Sequence, residues 1–239
     1  MNNIKAVLFD LDGTLLPMNN DEFTKGYFKL LAAKLAPHGY DPEQLVDSIW
    51  TGTAAMIKND GKQSNETVFW AKFTELLGEK AKMDMPVFEE FYLNEFKGAK
   101  TFCGYNPKAA EAVAVAKQMG YRTVLATNPI FPVQATDSRA QWAGVTLKDF
   151  EIYTSYENIG CSKPNPEYYR EIAKRLGVSP EECLMVGNDA EEDMIAETVG
   201  MQVFLLTDCL VNKKNIDISS YNQGDFDDLI QFLRNPLRF

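Results

Sequence analysis

The chain has 239 residues, of which 45% are hydrophobic, and it carries a formal net charge of −10. This length allows one large domain or two modest ones, and the acidity argues against a nucleic-acid partner, since such binding depends on clustered Lys and Arg. No stretch approaches the roughly 20 apolar residues of a membrane span, and the run Ala6 to Phe9 is too short for a signal-peptide core. With four widely spaced cysteines, the sequence predicts a soluble cytoplasmic protein without a membrane partner, and leaves the oligomeric state open.

Short apolar runs predict strands that are buried on both faces of a sheet. They cover Ile4 to Phe9, Tyr121 to Ala126, Cys183 to Val186 and Met201 to Leu206, with a weaker run at Phe150 to Thr154. Helices are predicted between them: the first begins at Pro107 and is stopped by Gly120, and the others cover Pro166 to Leu176 and Glu191 to Val199 and are stopped by Gly177 and Gly200. This alternation predicts an α/β fold with a parallel sheet. The tail after Leu210 is too polar to assign.

Residues 17–100 hold amphipathic helical patterns and no convincing strand. One helical face combines Phe23, Tyr27, Leu30, Leu31 and Leu35, and a second combines Val68, Phe69, Phe73, Leu76 and Leu77. Asn65 is the predicted N-cap of the second helix. The sequence therefore predicts a core of residues 1–16 and 101–239, with a helical domain, residues 17–100, inserted after the first strand.

Two carboxylates, Asp10 and Asp12, follow the first predicted strand. Residues two apart point broadly the same way, so both reach one small volume, and with Gly13 beside them they can bind magnesium. A polar turn is the commoner meaning of such a tetrapeptide. A calcium loop fits the first positions but would need Asp or Asn at Thr14, Gly at Leu15 and Glu at Asp21.

Polar residues also follow the later strands, and each set alone has an ordinary structural meaning. They are Thr127-Asn128, Ser162-Lys163-Pro164, and Gly187-Asn188-Asp189 with Asp193 four residues further on. Alone, these are a helix start, a solvated lysine and an acidic helix N-terminus. Together they lie at the mouths of parallel strands, where open sheets bind ligands. Their order therefore favours a phosphoryl-transfer site at Asp10 and Asp12 over the interpretation of these two residues as part of a simple polar turn.

These segments, with Asp10-Leu11-Asp12-Gly13-Thr14-Leu15, resemble motifs one to four of the haloacid dehalogenase superfamily, over residues 1–16 and about 101–210. The resemblance implies a Rossmann-like core with an inserted, all-helical C1-type cap. It implies that Asp10 is the nucleophile and forms an aspartyl phosphate, and that Asp12 is the general acid and base. Asp12 also favours phosphate, because the dehalogenases of the family lack it.

The resemblance further implies how the other motif residues act. Thr127, Asn128 and Lys163 would bind the phosphoryl group. Asp10, the backbone carbonyl of Asp12, and Asp189 would hold Mg²⁺, and Asp193 would be an additional ligand or a group that supports the ligands. Asn188 stands where many relatives have an acidic residue, which leaves the choice between Asp189 and Asp193 open.

The predicted function is a magnesium-dependent phosphatase of a small phosphorylated metabolite. A phosphomutase acting on a sugar phosphate is the nearest alternative, since the same aspartyl phosphate can be passed to another hydroxyl. A non-catalytic binding protein of the same fold is a third alternative. Such a protein would be expected to have lost some of the catalytic residues, whereas Asp10, Asp12, Lys163 and Asp189 are all present.

The inserted segment does not identify the substrate. Residues 16–100 contain no arginine, so the segment has no bidentate fork for a second phosphate or carboxylate, which disfavours bisphosphates and phosphoglycolate-like substrates. The aromatic residues Trp50, Phe69, Trp70 and Tyr92 are predicted to be core of the cap. His38, the only histidine, has no predicted catalytic role.

Overall fold

A parallel sheet forms the centre of the protein in a computed structural model that describes residues 4–235. Its strands are β1 (Ala6–Phe9), β2 (Arg122–Leu125), β3 (Ile152–Tyr153), β4 (Cys183–Gly187), β5 (Gln202–Leu206) and β6 (Asn222–Gly224). They lie in the order β3-β2-β1-β4-β5-β6, and every neighbouring pair is parallel. The carboxyl ends of all six strands therefore share one edge, and the predicted α/β, Rossmann-like fold is confirmed.

The sheet separates two apolar layers, because successive strand side chains point to opposite faces. Val7 and Phe9 of β1 belong to one layer, whereas Ala6 and Leu8 belong to the other. All four side chains are fully buried, which explains why β1 is a continuous apolar run rather than an alternating one.

Four helices cover the sheet within the described residues: α6 (Pro107–Gln118), α7 (Val133–Trp142), α8 (Pro166–Leu176) and α9 (Phe226–Arg234). Short 3₁₀ helices cover Leu147–Asp149, Pro180–Glu182 and Met194–Val199. The helix predicted over Glu191 to Val199 is shorter in the structure, where it is the 3₁₀ helix Met194–Val199 and ends at Gly200 as predicted. Residues 191–193 form a turn instead, in which the Asp189 carboxylate accepts hydrogen bonds from the N–H groups of Glu191 and Glu192.

Between β1 and α6 the described chain is helical. It forms α1 (Asn20–Leu35), α2 (Pro42–Ile57), α3 (Asn65–Leu77), α4 (Glu79–Met83) and α5 (Met85–Leu93), with 3₁₀ helices at Ala36–His38 and Glu95–Phe102. The helical character of the segment agrees with the sequence pattern, and its standing as a separate domain, residues 17–100, stays a prediction. Across residues 4–235, no helix combines the length and apolar character needed to cross a bilayer.

The start of α3 differs from the prediction. Ser64, not Asn65, caps the helix, and its hydroxyl accepts a hydrogen bond from the Thr67 N–H at 3.2 Å. Asn65 is fully buried and donates to the Pro129 carbonyl at 3.0 Å and to Ser162 Oγ at 2.9 Å. Asn65 therefore ties the helical segment to two loops at the carboxyl edge of the sheet.

Candidate active site

Asp10 stands at the point where β1 leaves the sheet. Its N–H still donates to the Val186 carbonyl at 2.9 Å, which fixes the residue at the sheet edge. Its side chain is buried and accepts two hydrogen bonds, Oδ1 from Lys163 Nζ and Oδ2 from Thr14 Oγ1, both at 2.8 Å. The carboxylate is thus held by an ammonium on one side and a hydroxyl on the other.

A tight turn follows Asp10 and requires a glycine. Gly13 has a φ of 84°, and a Cβ at this position would lie 2.4 Å from Asn188 Nδ2. Asn188 is itself fixed, because its Nδ2 donates to the Cys209 carbonyl at 2.7 Å and its Oδ1 lies 2.9 Å from Thr14 Oγ1. Asn188 therefore packs the loop after β4 against the loop after β1, a role distinct from metal binding.

Lys163 joins two carboxylates beneath the site. Its ammonium lies 2.6 Å from Asp193 Oδ1 in addition to its contact with Asp10, and the side chain is 1% exposed. Burial alone would lower the pKa of Lys163, but Asp10 and Asp193 outweigh it and raise that pKa well above its ordinary value. The lysine is therefore a fixed positive charge and not a solvated surface residue.

Asp193 has both carboxylate oxygens occupied. Oδ1 accepts from Lys163, and Oδ2 accepts from the Asp189 N–H at 3.0 Å. Burial raises the pKa of Asp193 to about 7, although Lys163 opposes the shift. Gly187 makes this close approach possible, since a Cβ there would lie 2.1 Å from Asp193 Oδ2.

Arg139, on α7, is a site residue that the sequence reasoning missed. The side chain is 0% exposed, and its Nη1 forms an ion pair with Asp12 Oδ2. Its guanidinium also lies over the Phe131 ring, 4.4 Å from the centroid. Burial raises the pKa of Asp12 above its ordinary value, and Arg139 partly offsets this. The sequence signal was weak: Arg139 shares a helical face with the small residues Ala135 and Ala143, four positions to either side.

A cleft of about 520 Å³ opens over these groups. Asp10, Asp12, Thr127, Asn128, Asp189 and Asp193 all line it. Lys163 does not line the cleft but lies behind Asp10 and Asp193. The structure thus brings every residue of the predicted site together, with six at the cleft surface and one supporting them.

Three polar atoms in this cleft are buried without a hydrogen-bond partner among residues 4–235. They are Asp12 Oδ1, Thr127 Oγ1 and Asn128 Oδ1. Such atoms cost roughly 1–3 kcal/mol each unless something else satisfies them. A ligand with both donor and acceptor oxygens would do so.

Glu192 is a second residue that the sequence reasoning missed. It lines the cleft and accepts a hydrogen bond from Asn128 Nδ2 at 3.0 Å. Burial raises the pKa of Glu192 to about 7, so this carboxyl titrates near neutrality. Because the amide N–H of Asn128 is engaged by Glu192, the predicted phosphate contact of Asn128 stays a prediction.

Few protein oxygens in the cleft are available to bind a divalent cation. Within the described part of the chain, no three Asp, Glu, His or Cys side chains are grouped so that they could hold a metal by themselves. Asp189 uses Oδ1 for the N–H groups of Glu191 and Glu192, at 2.8 and 2.9 Å, and its Oδ2 is free of protein partners in the same residues. No backbone N–H donates to the Asp12 carbonyl there either. Two carboxylates and one carbonyl, completed by water, suit Mg²⁺, which keeps several waters.

The fold and the cleft define a class of protein: an α/β protein whose parallel sheet carries an aspartate pair and a buried lysine at its carboxyl edge. The chain belongs to the haloacid dehalogenase-like hydrolase family, which matches residues 4–196. The predicted family and the predicted hydrolase class are confirmed.

Known proteins resemble the chain over most of its length. A glyceraldehyde 3-phosphate phosphatase of Methanopyrus kandleri is 24% identical, over 80% of this chain and 78% of that protein. The structure of a 2-haloacid dehalogenase from Pseudomonas syringae has a TM-score of 0.62 at 18% identity, and covers 97% of this chain and 98% of that one. YfnB from Bacillus subtilis, solved with magnesium bound, has a TM-score of 0.54 at 16% identity and covers 97% and 99%. At these identities the two structures establish the fold alone.

Proposed function

We propose that the protein is a magnesium-dependent phosphatase that hydrolyses a small phosphomonoester through an aspartyl phosphate on Asp10. Hydrolysis of a phosphate ester is the coarse activity that the family and its phosphatase relatives support. The metal, the intermediate and the residue roles are the finer part of the proposal.

One observation carries it: two buried and unpartnered oxygens, Thr127 Oγ1 and Asp12 Oδ1, line the same cleft as the Asp10 carboxylate. A phosphate ester supplies a partner for each. Its non-bridging oxygen accepts a hydrogen bond from the Thr127 hydroxyl, and its bridging oxygen accepts one from a protonated Asp12. A carboxylic acid substrate of dehalogenation has no leaving oxygen that would use Asp12.

In the first half of the reaction, the Asp10 carboxylate attacks phosphorus, and the bond from phosphorus to the leaving oxygen breaks. Asp12 gives its proton to that oxygen. Because Arg139 holds Asp12 Oδ2, the proton to be transferred is assigned to Oδ1. The raised pKa of Asp12 keeps part of the population protonated at higher pH than for an ordinary aspartic acid.

In the second half, water attacks phosphorus and the bond to Asp10 breaks, which releases phosphate. Asp12 Oδ1 accepts the proton of this water and returns to its starting state. Lys163 keeps the Asp10 carboxylate in place throughout and lowers the negative charge beneath the phosphoryl group. Thr127 donates to the phosphoryl oxygen in both halves.

Asp10, the carbonyl of Asp12, and Asp189 would hold Mg²⁺. When bound, the ion neutralises phosphoryl charge and orients the group toward Asp10. Asp193 bonds to both the Lys163 ammonium and the Asp189 N–H, so we assign it the role of positioning Lys163 and the loop of Asp189.

The test is release of inorganic phosphate from a panel of phosphomonoesters, with magnesium and with a chelator. The wild type should release phosphate only with magnesium, and Asp10→Asn should reduce the rate by at least about 10³-fold. Asp217→Asn, at an exposed position, is the matched control and should keep full activity. An inert wild type across sugar, amino-alcohol, nucleotide and aryl phosphates contradicts the proposal, and so does an isomerised ester formed without free phosphate.

A further inference from the structure

A second cavity, of about 300 Å³, adjoins the cleft. It lies between α1, α2, α3 and α5, and the loops after β2 and β3 close it. Thr24, Ile130 and Phe131 line both the cavity and the cleft, so the two spaces share a wall. The cavity is therefore the space immediately next to the candidate active site.

The walls of this cavity are mainly aromatic. They include Tyr27, Phe28, Trp50, Phe69, Trp70 and Tyr92. The prediction that Trp50 is core is wrong, because 51% of Trp50 is exposed; Phe69, Trp70 and Tyr92 are partly buried and line the cavity. These rings also pack on one another, and the parts of them that border the cavity provide an aromatic surface for a ligand.

Three carboxylates also line the cavity: Glu66, Glu89 and Glu157. No lysine or arginine lines it, and within residues 4–235 none of the three carboxylates forms an ion pair. Glu157 Oε1 accepts from the Val133 N–H at 2.9 Å, whereas Oε2 is buried without a partner among the same residues. The cavity therefore combines negative charge with aromatic faces.

The carboxylates also repel one another. Burial raises the pKa of Glu66, and the charges of Glu157 and Glu89 raise it further. The Arg139 guanidinium lies behind Phe131, and its charge is matched by Asp12. Nothing in the described walls of the cavity offsets its negative charge.

We propose that this cavity binds the leaving group of the substrate and that this group is cationic, so that the substrate is a phosphate ester of an amino alcohol or a quaternary ammonium alcohol. The inference rests on the proposed phosphatase function. A cation is attracted to the faces of Trp, Tyr and Phe and is stabilised by nearby carboxylates. It also supplies the positively charged partner that Glu66, Glu89 and Glu157 lack.

Other leaving groups match the cavity less well. A neutral alkyl or aryl group would fill the aromatic walls but would leave Glu157 Oε2 without a partner, which is a desolvation cost. A second anionic group would be repelled by three carboxylates, and residues 16–100 offer no arginine to receive it.

A matched pair of substrates tests the inference. 2-(Trimethylammonio)ethyl phosphate and 3,3-dimethylbutyl phosphate have nearly the same shape and differ in the charge of the leaving group. The cationic ester should have a kcat/KM about tenfold or more above its neutral isostere. Glu157→Gln and Glu66→Gln should each reduce this preference to about threefold or less, mainly by lowering kcat/KM for the cationic ester.

Glu75→Gln is the control, since Glu75 is on α3 like Glu66 but faces solvent and pairs with Lys72. It should keep the full preference. Equal kcat/KM for the two esters, with 4-nitrophenyl phosphate still hydrolysed, overturns the inference and leaves the proposed function intact.

Binding measured without magnesium separates the inference from catalysis. 2-(Trimethylammonio)ethanol should quench the fluorescence of Trp50 and Trp70 at concentrations at least about tenfold below those of 3,3-dimethylbutanol, and Glu157→Gln should remove the difference. If no ester is hydrolysed but this difference is present, the phosphatase proposal fails and the cationic site stands. Equal binding, or no binding of either alcohol, overturns the cationic site.

Discussion

The cleft at the sheet edge and the aromatic cavity beside it both contain carboxylates, but only the cleft has carboxylates that are paired with cationic side chains in the described residues. In the cleft, Asp10 and Asp193 share the Lys163 ammonium, and Asp12 is paired with Arg139. In the cavity, Glu66, Glu89 and Glu157 have no such partner within residues 4–235. A site for chemistry needs its charges fixed in advance, whereas a site for a charged ligand keeps its charge available for that ligand.

Removal of the cation that the cleft carboxylates share should have the largest effect. Lys163→Met should lower kcat/KM about 10²- to 10³-fold for every phosphate ester, because the phosphoryl group would then meet unbalanced negative charge. The free energy of unfolding should fall by about 3 kcal/mol, since a buried pair loses one member. Phosphate-release kinetics and urea unfolding measure the two effects.

The control is Lys62→Met, because Lys62 pairs with Asp60 on an exposed loop; activity and stability should not change. A loss for Lys163→Met that depends on the leaving group would contradict the separation between cleft and cavity.

Arg139 is expected to give the next largest effect, because it contacts Asp12 on one side and Phe131 on the other. In Arg139→Gln the pKa of Asp12 should rise further, since burial already raises it and Arg139 opposes that rise. Protonation of the leaving group then persists to higher pH, and ionisation of Asp12 for the water step is delayed. We expect the optimum of the kcat profile to move to higher pH and the rate near neutrality to fall about tenfold.

Arg139→Lys keeps the charge and should shift the profile less. An unchanged pH profile in Arg139→Gln would mean that the ion pair has a structural role only.

Substitution of Glu192 should have a smaller effect, on the pH dependence of the free energy of unfolding and not on the catalytic rate. Burial raises its pKa from 4.5 to about 7, so the folded state binds this proton more tightly than the unfolded state does. The corresponding stability is complete below about pH 4.5 and is lost as the pH rises through about 7. Metal-free wild type should therefore lose about 1–2 kcal/mol between about pH 5 and pH 8, and Glu192→Gln should lose less.

Urea unfolding at several pH values measures this difference. Asp193, whose pKa is also raised to about 7, should leave part of the slope in the variant. Parallel curves for the two proteins would contradict the assignment, and Glu22→Gln, at an exposed position, should reproduce the wild-type curve.

Trp50→Leu should give the smallest effect on the fold. Because Trp50 is half exposed, the free energy of unfolding, measured in urea, should change by less than about 1 kcal/mol. The buried Trp142, stacked on Phe96 at 5.5 Å between ring centroids, is the contrast: Trp142→Leu should cost about 3 kcal/mol. Similar losses in both variants would place Trp50 in the core after all.

The comparison also explains what the sequence predicted well. The strands β1, β2, β4 and β5 are largely buried on both faces, so each contains a local run of apolar residues and is followed by polar residues. The residues at those ends meet because parallel strands share an edge. Helix α8 was predicted with its observed bounds, since Asn165 caps its start and Gly177 ends it.

Features that depend on distant neighbours could not be read in this way. Strand β6 has no apolar run, because its pairing with β5 stabilises it. Arg139 looks like an ordinary helix-surface residue until α7 is placed against the loop of Asp12. The cavity is assembled from four helices and two loops, so a local pattern assigned Trp50 to the core although it borders an open space.

Phe131 belongs to both regions, and this restricts how the protein can acquire a new substrate through mutation. It lines the cleft and the cavity, and its ring covers the guanidinium that holds the general acid. Substitutions at Trp50 or Glu89, on the far walls, would change the choice of leaving group without disturbing Asp12. Substitution of Phe131 would alter both at once, so we expect lineages that change specificity to vary the far walls first and this shared wall last.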